Sequence, residues 1–510
     1  MADGVRPCHR RCPIDAVADV AADTPVARGL RGLDERAFAA IARTDVPWAD
    51  EPMRRLTAAA DHSRLWVVVA AGLALGGGRF GRRAAVRGLA SILVTSAATN
   101  GPFKLLIRRR RPPLLGVPVH RQHWRRTKTS SFPSGHTASA AAFAAGVAAE
   151  MPLLGIPLGA AAAAVGYSRV HTGVHYPGDV LAGAAVGIAA ARATTRVWPV
   201  APHTPAETRP DLDRRRTAPS GDGAGVRIAV NGGAGSRVDG VDVVERLRAD
   251  LPAAEVAVVD DPADLVSTLQ RLGGGARALG VVGGDGSINA AAQVAVDADV
   301  PLVAVPGGTL NHLARDLGLD DVDDAVRAVR DGDTASIDVA SIADRVFLNT
   351  ASFGAYAELV DAREQLEARI GKWPALVVAL VRVLTRSQPV RVRIDGRERR
   401  IWMIFIGNCR YHPHGFAPSW RERLDDGLLD VRVVDATAPL ARVRLLAAVL
   451  SGRLGRCRVY EETTTREVKV ESMQGPLRLA RDGEVFDGPE IFAVSKLDRR
   501  LSVYVPAAGG

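Results

Sequence analysis

Five apolar runs rich in alanine and glycine crowd into residues 65–80, 84–107, 137–149, 153–167 and 180–197 of this 510-residue chain. Side chains of this kind must leave water, and that requirement constrains the N-terminal half more than any other feature. Several runs fall short of the ~20 residues that a straight helix needs to cross ~30 Å of hydrocarbon. Small residues recur at close spacing, Gly183 with Gly187 and Ala144 with Ala148. Membrane helices use such residues to pack backbone to backbone. The reading is an all-α transmembrane bundle over 65–198, preceded by an amphipathic surface segment at 1–64.

Charge sets the expected orientation. Residues 65–198 hold sixteen Lys or Arg against two acids, Glu150 and Asp179, a balance of +14 in a chain of net charge +10. The rest therefore carries about −4, and the basic excess belongs to the apolar half. Membrane lipids, not nucleic acid, are the expected partners. Arg79, Arg82, Arg83 and Arg87 crowd the first connection, which the positive-inside rule puts in the cytoplasm. Residues 108–135 and 168–178 then face outside, and the last run returns the chain to the cytoplasm. The outer connection is nevertheless rich in Arg, Lys and His, so a functional reason is required. A multi-pass protein of the cell (plasma) membrane is expected.

The first thirty residues lack the apolar core of a cleavable signal peptide. Four cysteines (Cys8, Cys12, Cys409, Cys457) are too scattered for a disulfide framework. Cys8 and Cys12 flank His9, which is read as a terminus and not as a metal site. Residues 199–225 turn to Pro, Arg, Asp, Thr and Gly without apolar period, the composition of a linker. From Val226, short Val/Ile strands alternate with helix-length segments, predicting a two-lobed C-terminal half: an α/β nucleotide-binding lobe over 226–345 and a β-rich lobe over 346–510.

Three segments near the outer face carry the basic and histidine residues of the first half. Lys104, Arg111 and Arg169 can surround the oxygens of a phosphate, arginine with planar donor forks. Ser134 and the amide of Gly135, at a helix start, add uncharged donors. His175 can attack phosphorus as a neutral imidazole, with Asp179 bonding its other nitrogen. His136 can protonate the leaving alkoxide and then activate water. The only other carboxylate in the stretch is Glu150, so no metal cofactor is expected there. His120, His123 and His171 fall outside the pattern and are read as solvated loop residues.

These residues resemble the type 2 phosphatidic acid phosphatase family across about 76 positions. The resemblance implies a six-helix-like bundle, outward-facing catalysis on lipid or polyprenyl phosphates and a phosphohistidine at His175. Only five runs are found where the family has six helices. Soluble haloperoxidases share the motif, and the apolar runs argue against that class.

The second half offers three glycine-rich loops at strand ends: Asn231-Gly232-Gly233, Gly283-Gly284-Asp285-Gly286-Ser287 and Gly307-Gly308-Thr309-Leu310-Asn311, with Arg315 four residues on. Their amides can approach nucleotide phosphates, and Asp285 can meet a magnesium ion. The segments look like the diacylglycerol kinase catalytic domain, shared with sphingosine kinases and bacterial lipid kinases. That resemblance implies ATP and Mg2+ as cofactors and Asp482 of Asp482-Gly483-Glu484 as the base on a lipid hydroxyl, with Glu484 beside the nucleotide. It also implies a structural magnesium at Asp425-Asp426-Gly427 and Asp338 in the metal network. Ala290 and His312 stand where the family carries acids. A degenerate binding module therefore remains an alternative to an active kinase, and a scaffold with two inactive domains is a third class. NAD kinases share the Gly-Gly-Asp-Gly element, but Gly-Thr-Leu-Asn with Arg315 favours a lipid acceptor. Oligomeric state, including a dimer of the kinase-like half, stays open.

Overall fold

The computed structural model describes residues 25–510 except 105–106, 108, 114–116, 123–128, 201, 203, 212–220, 233–236, 239–240, 309–310, 360–361, 363–377, 379–381, 384–386, 415–419, 451–453 and 508–510. Cys8, His9, Cys12, His123 and Thr309 lie outside the described residues. The chain divides into two compact units, Met1–Val200 and Ala201–Gly510.

In the first unit the apolar runs fold as helices α3 (Arg64–Gly76), α4 (Gly78–Ala98), α5 (Gly135–Glu150), α6 (Pro152–His171) and α7 (Pro177–Val197). Two more, α1 (Pro25–Arg43) and α2 (Pro47–Ala59), precede them. Proline at the first turn starts α2, α6 and α7, where its missing N–H goes unneeded. Among the described residues only α6 and α7, of 20 and 21 residues, are helices long and apolar enough to cross a membrane. The helices α3 and α5 stop at 13 and 16 residues, and α4 carries four arginines.

Close approach explains the small residues. A Cβ on Gly183 would lie 2.5 Å from the Ser134 carbonyl oxygen, and one on Gly187 would strike that of Ala138. The α5 and α7 backbones therefore pack directly against each other. Trp66 and Phe143 stack at 5.2 Å in the core. Glu150, at the end of α5, accepts from Arg83 at 2.8 Å and from Arg87 at 2.6 Å. Both guanidiniums also lie over the Trp198 ring.

The second unit is built on four parallel strands, β1 (Val226–Asn231), β2 (Glu255–Val259), β3 (Ala278–Gly283) and β4 (Leu302–Pro306), in the order β2-β1-β3-β4. The Val/Ile runs 226–230, 278–282 and 302–305, which the sequence predicts as strands, fall within one residue of the bounds of β1, β3 and β4. β1, β3 and β4 are almost wholly buried, as continuous Val/Ile runs require when helices cover both faces. The second lobe is antiparallel and β-rich, with its core around Phe347, Phe353, Ile404 and Ile406. The long last strand, Ile491–Tyr504, joins the two lobes. Its first part pairs with Glu467–Ser472, and Val503 pairs in parallel with Leu302 of β4. The boundary expected at residue 345 is thus crossed twice, because residues 501–504 return to the first lobe.

The stretch expected to be a free linker is held in part. Arg209–Pro210 pairs antiparallel with Ala335 and Ser336, and the Ala206 amide donates to the Asp316 carbonyl at 2.7 Å. The strand Thr334–Ile342 offers an edge there, and an extended proline-containing segment can satisfy it.

Candidate active sites

The first site forms where the ends of three helices meet. Ser134 precedes α5, Arg169 closes α6, His175 sits in the turn after it, and Asp179 lies in the first turn of α7. The backbone ties them together: the Ser134 amide donates to the Asp179 carbonyl at 2.9 Å, and the His175 amide to the Arg169 carbonyl at 3.1 Å. His175 is 4% exposed; its Nδ1 lies 3.6 Å from Asp179 Oδ2, and its Nε2 lies 3.4 Å from Arg111 Nη1. Arg111 is braced by donating to the Val174 and Thr129 carbonyls.

Arg169 is buried, and its Nε and Nη1 have no hydrogen-bond partner among the described residues. A guanidinium left so is costly unless an anion completes it. Burial, reinforced by the Arg169 and Arg111 charges, pushes His175 down to about 4 against the opposing pull of Asp179. The imidazole is therefore neutral near pH 7, as a nucleophile must be. Lys104 donates to Asn100 Oδ1 at 2.8 Å and lies within electrostatic reach of Arg111. The Ser134 hydroxyl pairs with that of Thr137 at 3.0 Å, and Gly135 begins the helix behind it.

Two expectations need correcting. Residues 25–63, expected as an amphipathic surface segment, also supply carboxylates to this unit. The site is therefore not poor in acids. Asp34 accepts from Arg109 at 2.6 Å and from the Gly178 amide at 2.7 Å. Asp50 accepts from His171 and His120, each at 2.8 Å, and pairs with Arg121. Asp61 accepts from His136 Nε2 at 2.7 Å. His171 is fully buried and not solvated. His120 is exposed but held. Sequence reasoning also missed Arg109, which donates to Asp179 Oδ1 at 2.8 Å and lies over the Tyr176 ring at 4.2 Å. No local spacing could link these partners, which stand 70 to 144 residues apart.

The second site lies at the carboxyl ends of β1, β3 and β4. Asn231 donates to Ser287 Oγ at 3.0 Å, and the Gly307 amide to the Gly283 carbonyl at 2.9 Å, so the three glycine loops converge. A Cβ on Gly308 would lie 2.5 Å from the Gly284 Cα, so position 308 leaves no room for a side chain. The Asn311 side chain closes the third loop by bonding both the amide and carbonyl of Gly308. Arg315 follows one turn later, its amide bonded to the Asn311 carbonyl. Gly232 anchors the first loop to the Val259 carbonyl at 2.9 Å.

Asp285 begins helix α8 (Asp285–Ala298), and its Oδ1 accepts from the His312 amide at 2.6 Å. Asp482 and Gly483 form the two-residue hairpin loop between Arg481 and Glu484, both with positive φ, as an Asp-Gly turn favours. The Asp482 carboxylate accepts three amides, from Leu348, Asn349 and Thr350 at 2.8 to 2.9 Å. Burial still outweighs these donors and pushes Asp482 up to about 6. Glu484 packs against Gly286, where a Cβ would meet Glu484 Oε1 at 2.8 Å. Asp285 and Glu484 offer hard oxygen ligands at the loop, a donor set that fits magnesium.

The acids expected to hold a second metal behave differently. Asp338, Cys409 and Asp426 bring ligand atoms within 4.8 Å of one another. Asp425 does not join them and pairs with Arg423 at 3.0 Å. Lys496 Nζ already lies 3.2 Å from Asp338 Oδ2, 3.2 Å from Cys409 Sγ and 2.6 Å from Asn408 Oδ1. Burial pushes the Cys409 thiol up to about 12, so it stays neutral. An ammonium and a protonated thiol do not suit magnesium, which wants six oxygens. Sequence reasoning missed Lys496, and also Arg421, which is buried and reaches Asp316 and the Leu348 and Asn408 carbonyls.

Comparison with known proteins matches residues 85–202 to the PAP2 superfamily, 226–342 to the diacylglycerol kinase catalytic domain, and 349–496 to the YegS C-terminal NAD kinase beta sandwich-like domain. A diacylglycerol kinase of Mycobacterium tuberculosis is 28% identical over 305 residues, covering 57% of this chain and 93% of that protein. A probable YegS-like lipid kinase of Pseudomonas aeruginosa is 28% identical over 247 residues, 47% of this chain and 80% of that protein. A transmembrane PAP2 type phosphatidylglycerolphosphate phosphatase from Bacillus subtilis is 26% identical over 35% of this chain and 88% of its own, with a TM-score of 0.27.

Proposed function

Because the chain joins a PAP2 superfamily domain to a diacylglycerol kinase catalytic domain, we propose a bifunctional membrane enzyme: a phosphatase of lipid or polyprenyl phosphates and an ATP-dependent kinase of diacylglycerol-like alcohols. The phosphatase reading is carried by Arg169, whose unpaired buried N–H groups lie beside a neutral His175. Lys104, Arg111, Arg169 and the Gly135 amide take the phosphate oxygens. His175 Nε2 bonds to phosphorus as the P–O bond to the lipid breaks, and His136 gives the alkoxide its proton. Water, losing a proton to His136, then attacks phosphorus, the P–N bond breaks, and phosphate leaves.

In the kinase half, the converging glycine loops would cradle the nucleotide phosphates. Asp285 and Glu484 would hold a magnesium ion, whose charge offsets that of the transferring phosphoryl group. Asp482, with its raised carboxyl, takes the proton of the lipid hydroxyl. Exposed Leu75, Leu93, Leu153, Ile156 and Leu181 support placing the helical unit in lipid. The arginines around the α3–α4 junction favour that end in the cytoplasm with the kinase, and the phosphatase site outside.

The test is purified full-length protein in liposomes. Phosphate release from phosphatidic acid should vanish in His175→Ala, and transfer of labelled γ-phosphate to diacylglycerol should vanish in Asp285→Ala. Full activity in either variant overturns that half. A second reading, a kinase-like binding module, is favoured by the His312 amide occupying Asp285 Oδ1 and by Ala290. It predicts ATP binding without transfer to any lipid.

A further inference from the structure

The residues that match the PAP2 superfamily begin at 85, yet the carboxylate that meets His136 comes from before them. Asp61 opens a single 3-10 turn, Asp61–Ser63, between α2 and α3. The next two residues, His62 and Ser63, both have positive φ, 55° and 60°. Non-glycine residues take that conformation at a cost of order 1 kcal/mol, and consecutive ones persist only where surrounding structure holds them. The result is a sharp corner that presents Asp61 to α5. There Asp61 Oδ1 lies 2.7 Å from His136 Nε2, with both side chains largely buried.

The other charged groups acting on His136 are Arg169 from α6 and His175 from the turn after it. Arg169 is a cation, and His175 becomes one on attacking phosphorus. A general acid in such surroundings must hold its proton among positive neighbours, which only an adjacent anion can offset. Asp179 does not serve, since its oxygens face Arg109, His175 and the Tyr176 amide.

We propose that Asp61 is a positioning residue for the phosphatase reaction, holding His136 through Nε2–H so that Nδ1 carries the transferred proton. This rests on the phosphatase reading above. In the first half-reaction, His136 Nδ1–H gives its proton to the leaving alkoxide as His175 Nε2 bonds to phosphorus. In the second, Nδ1 takes a proton from the attacking water as the P–N bond breaks. The Nε2–H stays with Asp61 throughout, so the imidazole returns to the same tautomer after each cycle.

The test compares two phosphate monoesters in one preparation of full-length protein in liposomes. Phosphatidic acid has an alkoxide leaving group that needs a proton, whereas para-nitrophenyl phosphate does not. Asp61→Asn should lower kcat/KM, which reports the steps up to phosphohistidine formation, about 100-fold on phosphatidic acid and by less than about 3-fold on the aryl ester. On phosphatidic acid it should also move the basic limb of the kcat/KM profile to lower pH, because His136 then loses its proton more easily. The ratio of the two rates is independent of how much variant folds, and Asp61→Ala should reproduce it. Equal losses on both substrates would reduce Asp61 to a structural role and overturn the inference. A rise in activity with a lower KM would also overturn it, by showing that Asp61 competes with phosphate. Wild-type protein inactive on both esters sinks the phosphatase reading and this inference together, whereas active wild type with an unaffected Asp61→Asn sinks the inference alone.

Discussion

Asp179 makes its shorter side-chain contact with Arg109, at 2.8 Å, and stands 3.6 Å from His175. In the proposed phosphatase reaction, the carboxylate that would orient the nucleophile is thus itself held by Arg109. Arg109→Gln should therefore lower phosphatase kcat about 10-fold with KM little changed, because a misplaced orienting group misplaces the imidazole. Steady-state kinetics on phosphatidic acid separate the two constants.

His175 gives the helical unit a defined acid sensitivity. Its folded value, about 4, lies below the ordinary 6.5, so the unfolded chain binds more protons between those limits. Stability should fall as pH drops from 6.5 to 4, by roughly 3 kcal/mol. Thermal melts of His175→Asn should lack most of that acid loss. Identical pH dependence in the variant would refute the assignment.

Asp482 carries the opposite sign. A carboxyl raised from 3.8 to about 6 binds more protons in the folded state, so it costs stability as pH rises through that window. Kinase kcat should fall below pH 6 as the base becomes protonated. Asp482→Asn should lower kcat at least about 100-fold while melting above Asp482→Ala, because its one side-chain oxygen can still accept from the Asn349 and Thr350 amides. Kinetics and melting curves together separate base from anchor.

Lys496 makes a prediction about magnesium. With the ammonium between Asp338 and Cys409, adding magnesium without nucleotide should leave the melting temperature of the Lys496-dependent lobe unchanged. Lys496→Met removes the nearer cation from buried Asp338, leaving Arg500 at 3.7 Å and the Gly427 amide, and should destabilise by up to about 3 kcal/mol. Magnesium should then recover part of the loss.

Gly308 and Gly284 approach too closely for a side chain at position 308. Gly308→Ala should weaken ATP binding about tenfold, equivalent to about 1.4 kcal/mol, by forcing two phosphate-facing loops apart. Calorimetric titration with ATP measures it directly.

What the sequence made legible was local. Ser134, Gly135 and His136 share a helix start; His175 and Asp179 flank another. Each group is encoded by a few adjacent positions, so spacing reveals it. The same holds for Asp482-Gly483, whose turn chemistry and hairpin coincide, and for β1, β3 and β4, whose Val/Ile runs mark buried strands. Asp34, Asp50 and Asp61 were illegible because their roles depend on where α1 and α2 dock, and nothing in their own neighbourhood distinguishes them from surface acids. Lys496 was hidden similarly. It lies in a strand, at a bulge between Lys496 and Arg500, and meets Asp338 only through tertiary pairing.

The last strand has a consequence for how the protein is made. β4 gains its outer neighbour only when Val503 pairs beside Leu302, about two hundred residues further along the chain. Until that stretch is synthesised, a buried hydrophobic strand has an open edge, the kind of surface that invites wrong pairing. Truncating even the final ten residues should therefore harm the nucleotide lobe, although its other strands were synthesised some two hundred residues earlier. The nucleotide lobe can close only after the second lobe has been made, so the two are obliged to mature together.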